Sequence, residues 1–225
     1  MKIFDFKLRQ YDADYYKIYD RALTRDLDTI PSFRLIKEYL ALKPGETLLD
    51  AGCGAGHQLN YLLRDVNATG LGVDSSETAA TLAVQRFPGR KFFRQDLRRL
   101  EFGDYTVDKI VCFNVIEHIA EQDDVMREFL RVLKPGGSLV IGTNIRDSLA
   151  WKLYQLTIGE HTHVREFTVN EFIEFLGQFF VVANYKRSSG VFRFGPPLSW
   201  VFHHVLLGDV IALCKKPHEG ISVKR

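Results

Sequence analysis

The residues best placed to do chemistry form a single run. Asp50 stands just ahead of the loop Gly52-Cys53-Gly54-Ala55-Gly56, and Leu48 and Leu49 lead into it. A glycine-rich loop lets the backbone approach a ligand closely, because few side chains stand in the way. Dinucleotide-binding loops follow GxGxxG and rest a pyrophosphate on a helix N-terminus. Here the pattern is GxGxG with an acid before it. A carboxylate at the head of such a loop repels a pyrophosphate and attracts a cation. The competing reading of Asp50 is local, since Asp in a turn often accepts a bond from a loop amide.

S-adenosylmethionine (SAM) meets that charge requirement. It carries an α-ammonium and a sulfonium, and no phosphate. Asp74, with Ser75 beside it, lies about twenty residues beyond the loop, where a carboxylate can accept bonds from both ribose hydroxyls. Nicotinamide enzymes use the same device, so Asp74 argues for an adenosine ligand without choosing between the two. Asp96 in the run RQDL can accept from an adenine amino group, and Leu97 can pack on the ring. The alternative for Asp96 is a helix or turn cap.

These residues need a frame to hold them. Short apolar runs alternate with amphipathic ones, the pattern of βαβ units around a parallel sheet. Strands are expected over 46–52, 70–74, 90–95, 108–114 and 138–143. Helices are expected over 10–24, 31–41, 57–66, 121–133, 147–158 and 168–177, the last capped by Thr168. A further helix follows Ser75 or Ser76. Lys134-Pro135-Gly136-Gly137 should stop the 121–133 helix. Two late apolar segments, 179–187 and 205–215, suggest an antiparallel addition to the sheet edge. The candidate ligand residues then sit at the carboxyl ends of the strands, where open α/β sheets bind.

LLDAGCGAG, GVDSS, RQDL, DKIVCFNVIEHI, LRVLKPGGSLVIGT and HVREFT follow one another along the chain. In that order they resemble a class I SAM-dependent methyltransferase of the small-molecule "type 11" group. The resemblance implies a Rossmann-like α/β fold. Its seven-stranded, mostly parallel sheet would have order 3-2-1-4-5-7-6, helices on both faces and an antiparallel last strand. It implies one domain over 1–225, with an N-terminal helical lid over about 1–42 and an acceptor-side elaboration over about 145–204. It also places Asn114 beside the cofactor. Cofactor contacts are thus expected from Asp50, Gly52, Cys53, Gly54, Gly56, Asp74, Ser75, Asp96, Leu97 and Asn114.

The expected reaction is transfer of the SAM methyl group to a small-molecule acceptor, with oxygen slightly preferred. Such transfer needs alignment and exclusion of water more than acid–base chemistry. An acidic acceptor also profits from a base. His118, His161 and His163 are the candidates, with His161 and His163 preferred for their position after the fifth strand; surface histidines in a loop are the alternative. No metal is expected, since Glu117 and His118 alone make a poor site for a hard cation. The rival functions are a non-catalytic SAM-binding or scaffold protein, and a nicotinamide-dependent oxidoreductase.

Composition narrows the partners. The chain has 225 residues and a formal net charge of +2, too mild for a nucleic-acid footprint. The run NVIE after the fourth strand lacks the [DN]PP[YFW] signature of nucleobase amino methylation. The basic run 86–99 reads as a solvated face. Three scattered cysteines argue against a disulfide framework or zinc site. No leader and no membrane-length apolar run is expected, and a cytoplasmic setting follows. The helix with Tyr11, Tyr15, Tyr16 and Tyr19 is either a lid or packing. The aromatic segment 190–204 is a pocket wall, a homodimer contact, a peripheral membrane contact or an ordinary hairpin loop.

Overall fold

The computed structural model describes residues 27–147, 164–188 and 208–217. The expected helices over 10–24 and 147–158, the tyrosine cluster and the aromatic segment 190–204 lie outside these residues.

Within them the chain alternates strand and helix through β1 (Thr47–Ala51), β2 (Thr69–Asp74), β3 (Lys91–Arg94), β4 (Val107–Phe113), β5 (Leu133–Asn144), β6 (Val181–Ser188) and β7 (Asp209–Lys215). The helices are α1 (Pro31–Leu40), α2 (His57–Leu63), α3 (Glu77–Arg86), α4 (Gln122–Val132) and α5 (Val169–Gly177). The strands form one sheet of order β3-β2-β1-β4-β5-β7-β6. β1 to β5 run parallel, and β7 lies antiparallel to both β5 and β6. The expected order and strand reversal are both present.

Alternation along the central strands builds two cores. Leu49, Ile110, Cys112, Leu139, Ile141, Val210 and Ala212 face α4 and α5. Leu48, Val111, Val140 and Ile211 face the other way, onto Phe33, Ile36 and Leu40 of α1 and Leu59, Leu62 and Leu63 of α2. Burial on both faces explains why these strands read as continuous apolar runs. α4 presents Val125, Met126, Phe129 and Val132, all fully buried, at helical spacing.

Local signals set the ends. Pro31 sits in the first turn of α1, where its missing N–H costs nothing. Ser76 caps α3 by accepting from the Ala79 amide at 3.2 Å. Thr168 and Glu171 cap α5 reciprocally, each side chain bonding the other's backbone N–H.

Two expectations shift. The 57–66 helix ends at Leu63. Lys134-Pro135-Gly136-Gly137 does stop α4 but is itself part of β5, as an irregularity in its pairing with β4. Register moves from Val107↔Leu133 to Lys109↔Ser138 across it. A bulge accommodates Pro135, which has no N–H to give to a ladder.

Candidate active site

The strand order reverses between β1 and β4, and their carboxyl ends define the crevice. On one side of it stands the glycine loop. Gly52 and Cys53 donate backbone N–H groups to the Val73 carbonyl at 2.7 and 2.9 Å, which staples the loop to β2. Gly52 has φ +81°, and a Cβ there would lie 2.2 Å from Val115 Cγ2. Gly56 has φ +85°, and its Cβ would meet the Phe92 ring at 2.7 Å. Both positions therefore exclude any side chain on two grounds, backbone conformation and space.

Asp50 is fully buried. Its Oδ1 accepts from Gln58 Nε2 at 2.8 Å, and its Oδ2 has no hydrogen-bond partner. Burial, reinforced by the charge of Asp74, pushes its carboxyl up to about 7. An unsatisfied buried carboxylate oxygen is costly unless a donor arrives. Asp74 is different. Its oxygens accept from the Gly54 and Ser76 amides, each at 2.9 Å, while burial still raises its pKa. Each carboxylate oxygen keeps further acceptor capacity. Ser75, exposed beside it, adds a backbone bond to the same carboxylate.

The structure treats Asp96 as the local reading expects. Its carboxylate takes the Arg98 backbone amide and both ends of the Arg98 guanidinium, and this ion pair lowers its pKa. Leu97 is buried with Val73 and Leu100 in the core. Asn114 directly follows β4 at φ +55°, a left-handed conformation that Asn tolerates better than most residues. Its amide donates to the Gly142 carbonyl at 2.9 Å, and its buried Oδ1 has no partner. His161 and His163 lie outside the described residues.

Sequence reasoning missed the other side of the crevice. Glu117, passed over as a poor metal ligand, is 1% exposed, and neither carboxylate oxygen has a hydrogen-bond partner. Burial raises its pKa, against the opposing influence of His118, of its own backbone amide and of the Thr143 and Asn144 side chains, polar neighbours that do not reach hydrogen-bond geometry. Asp209, also 1% exposed, opens β7 opposite Asn144 and Ser188. It accepts from Ser32 Oγ at 3.1 Å, and burial, with Glu117 adding, pushes it to about 8. The only hint of Asp209 in the sequence is an acid heading the apolar run VIALC. Gln58 carried no signal at all.

HVREFT reaches this side too. Val164 and Arg165 donate their amides to the Glu117 carbonyl at 2.8 and 3.2 Å. The Arg165 guanidinium stacks over Phe167 and bonds Gln122 Oε1 at 3.1 Å. Among the described residues no group of three or more His, Cys, Asp or Glu could hold a metal ion.

Residues 49–141 match the model of a methyltransferase domain family. A probable S-adenosylmethionine-dependent methyltransferase of Mycolicibacterium smegmatis is 33% identical over 132 residues, covering 59% of this chain and 50% of that protein. Over these residues the chain is similar to SAM-dependent methyltransferases. Phosphoethanolamine N-methyltransferase 1 of Triticum aestivum is 31% identical over 144 residues, 61% of this chain and 29% of that protein. The chain thus spans half or less of these curated relatives. In fold, the chain superposes on a chain of the Haloferax volcanii complex between the Trm112 activator and a methyltransferase. The TM-score is 0.76 at 20% identity, over 94% of this chain and all of that one. Geranyl diphosphate C-methyltransferase from Streptomyces coelicolor A3(2) gives 0.66 at 15% identity, over 83% and 80%. Among the described residues no helix is long and apolar enough to cross a membrane.

Proposed function

We propose that this chain binds SAM at the carboxyl ends of β1 and β2 and transfers its methyl group to a small-molecule acceptor held beyond β4 and β5. One observation carries the reading. Asp50 is a fully buried carboxylate with an unpartnered oxygen, set just ahead of a loop whose Gly52 and Gly56 have no room for side chains. That oxygen suits the ammonium of SAM, whereas a dinucleotide would set its pyrophosphate against it. The residues present fit the cofactor on this ground.

In this reading Asp50 meets the ammonium, and the backbone of Gly52, Cys53, Gly54 and Gly56 lines the approach. Asp74 and Ser75 take the ribose, and Asn114 offers its free Oδ1 from the β4 side. Asp96, half exposed beside Arg98, keeps acceptor capacity for an adenine amino group, and Leu97 borders that end from within the core. SAM supplies an activated methyl group on a sulfonium that is already a good leaving group. The chain's task is to align the acceptor and exclude water. The stapled loop and the rigid turn at Asn114 support that role. His161 and His163 remain the proposed acceptor-side base or contact.

The acceptor atom is not set by the family. One relative is named an N-methyltransferase and one fold neighbour a C-methyltransferase. The slight preference for oxygen has no support in the described residues.

Isothermal titration with SAM and with S-adenosylhomocysteine (SAH) tests the donor half. Micromolar binding of both is expected, and no binding of either at millimolar ligand overturns the proposal. Transfer from labelled SAM onto a panel of amines, phenols and acids then reads the acceptor.

A further inference from the structure

Most acidic groups that support this fold have donors at hand. Asp108 accepts from Lys134 Nζ at 2.7 Å and the Thr47 amide at 2.9 Å. Glu128 takes Arg131 and the Leu100 amide, and Glu171 closes the α5 cap. Glu117 and Asp209 break that rule. Both are 1% exposed, and their four carboxylate oxygens receive one described hydrogen bond, from Ser32. No Lys or Arg among the described residues pairs with either. Asn114, on the same side, adds a buried oxygen without a partner.

Their place in the fold gives the vacancy meaning. Glu117 follows the end of β4, and Asp209 pairs with Asn144 at the end of β5. Asp209 feels the charge of Glu117, and the Cys112 thiol feels both Glu117 and Asp50. The two acids therefore share the ligand end of the sheet with the donor loop. The connections after Asp147 and after Ser188 both start from this end.

Charge selects the occupant. A phosphate or carboxylate brings acceptors where donors are missing, and ionising either acid would repel it. A hydroxyl brings one proton to a set of acceptors that needs several. A protonated amine brings up to three donors and the opposite charge. We propose that Glu117 and Asp209 bind the nitrogen of the acceptor, so that this methyltransferase takes small primary or secondary amines. The inference rests on the placement of the acceptor beyond β4 and β5, and it replaces the preference for oxygen.

The test uses the full chain saturated with SAH, with n-butylamine, n-butanol and butyrate as probes and titration or saturation-transfer NMR as readout at neutral pH. The amine should bind at least tenfold tighter than the alcohol, and butyrate should not bind. Glu117→Gln and Asp209→Asn should each weaken amine binding about tenfold or more, the scale of one charge-assisted bond. SAH affinity should stay within about twofold. Glu117→Gln should also raise the Tm of the ligand-free chain, because it neutralises a buried acid that has no partner. Equal binding of amine and alcohol overturns the proposal. So does a fall in Tm with amine binding intact, which marks the acids as structural. If SAH fails to bind the unmodified chain, the donor reading falls, and the amine comparison is read without SAH.

Discussion

The two halves of the crevice solve opposite problems. The donor half is built from one stretch, residues 48–76, whose polar backbone is already stapled: Gly52 and Cys53 to Val73, Gly54 and Ser76 to Asp74. Its only buried vacancy is one oxygen of Asp50. The other half is assembled from Glu117, Asp209 and Ser32, with Asn114 between the two, and both Glu117 oxygens lack donors. In the proposed reading, a preorganised cradle recognises one fixed cofactor, and a set of unmet acceptors holds selectivity for the second substrate.

The sharpest way to break the donor half is Gly52→Ala. The added Cβ meets Val115 and sits on left-handed backbone. Strain and overpacking together should cost about 2–5 kcal/mol. SAH affinity should fall about a hundredfold or more by titration, with a lower Tm. Gly52→Ala with Val115→Ala should recover part of both, and a purely additive double mutant would refute the contact.

Asp50→Asn separates charge from shape. Removing one partner of a buried charge pair costs about 2–5 kcal/mol, so SAH affinity should drop about thirtyfold or more. The ligand-free Tm should hold or rise. An unchanged affinity would return Asp50 to a purely local role.

The next expected effect is a pH dependence. Burial lifts Asp50 from 3.8 to about 7 and Asp209 from 3.8 to about 8. The folded chain then holds these protons more tightly than the unfolded one. The resulting stability is complete below about pH 4 and is lost as pH rises through 7 and 8. The urea midpoint of the ligand-free chain should be higher at pH 5 than at pH 8.5. Asp209→Asn should flatten the slope; a slope unchanged by it would remove Asp209 from the account.

The smallest effect belongs outside the crevice. Thr168→Ala removes the reciprocal cap of α5 and should cost about 1 kcal/mol in denaturant unfolding. SAH affinity should not move, which shows that stability and ligand affinity vary independently here.

How legible each half was in the sequence follows from the same contrast. The donor half is local, so the spacing of Asp50, the glycines and Asp74 carries its geometry. The strand order came through because ordered motifs and two late apolar runs describe it. The acceptor half depends on contacts across the whole chain: Ser32 and Asp209 are 177 residues apart. No periodicity reports such a meeting. Asp96 shows the converse, since its spacing fits an adenine contact while a neighbour two residues on, Arg98, already bonds its carboxylate. The bulge at Lys134–Gly137 shows that residues which break helices can also continue a strand.

The reversal of β7 has an evolutionary side. Because β6 and β7 are antiparallel, Ser188 and Asp209 face each other at the ligand end. A hairpin connector there can lengthen or change without altering any strand crossing, and loop closure grows costlier only slowly with length. In the proposed reading, rewriting that one connector exchanges the acceptor while the donor cradle is inherited intact.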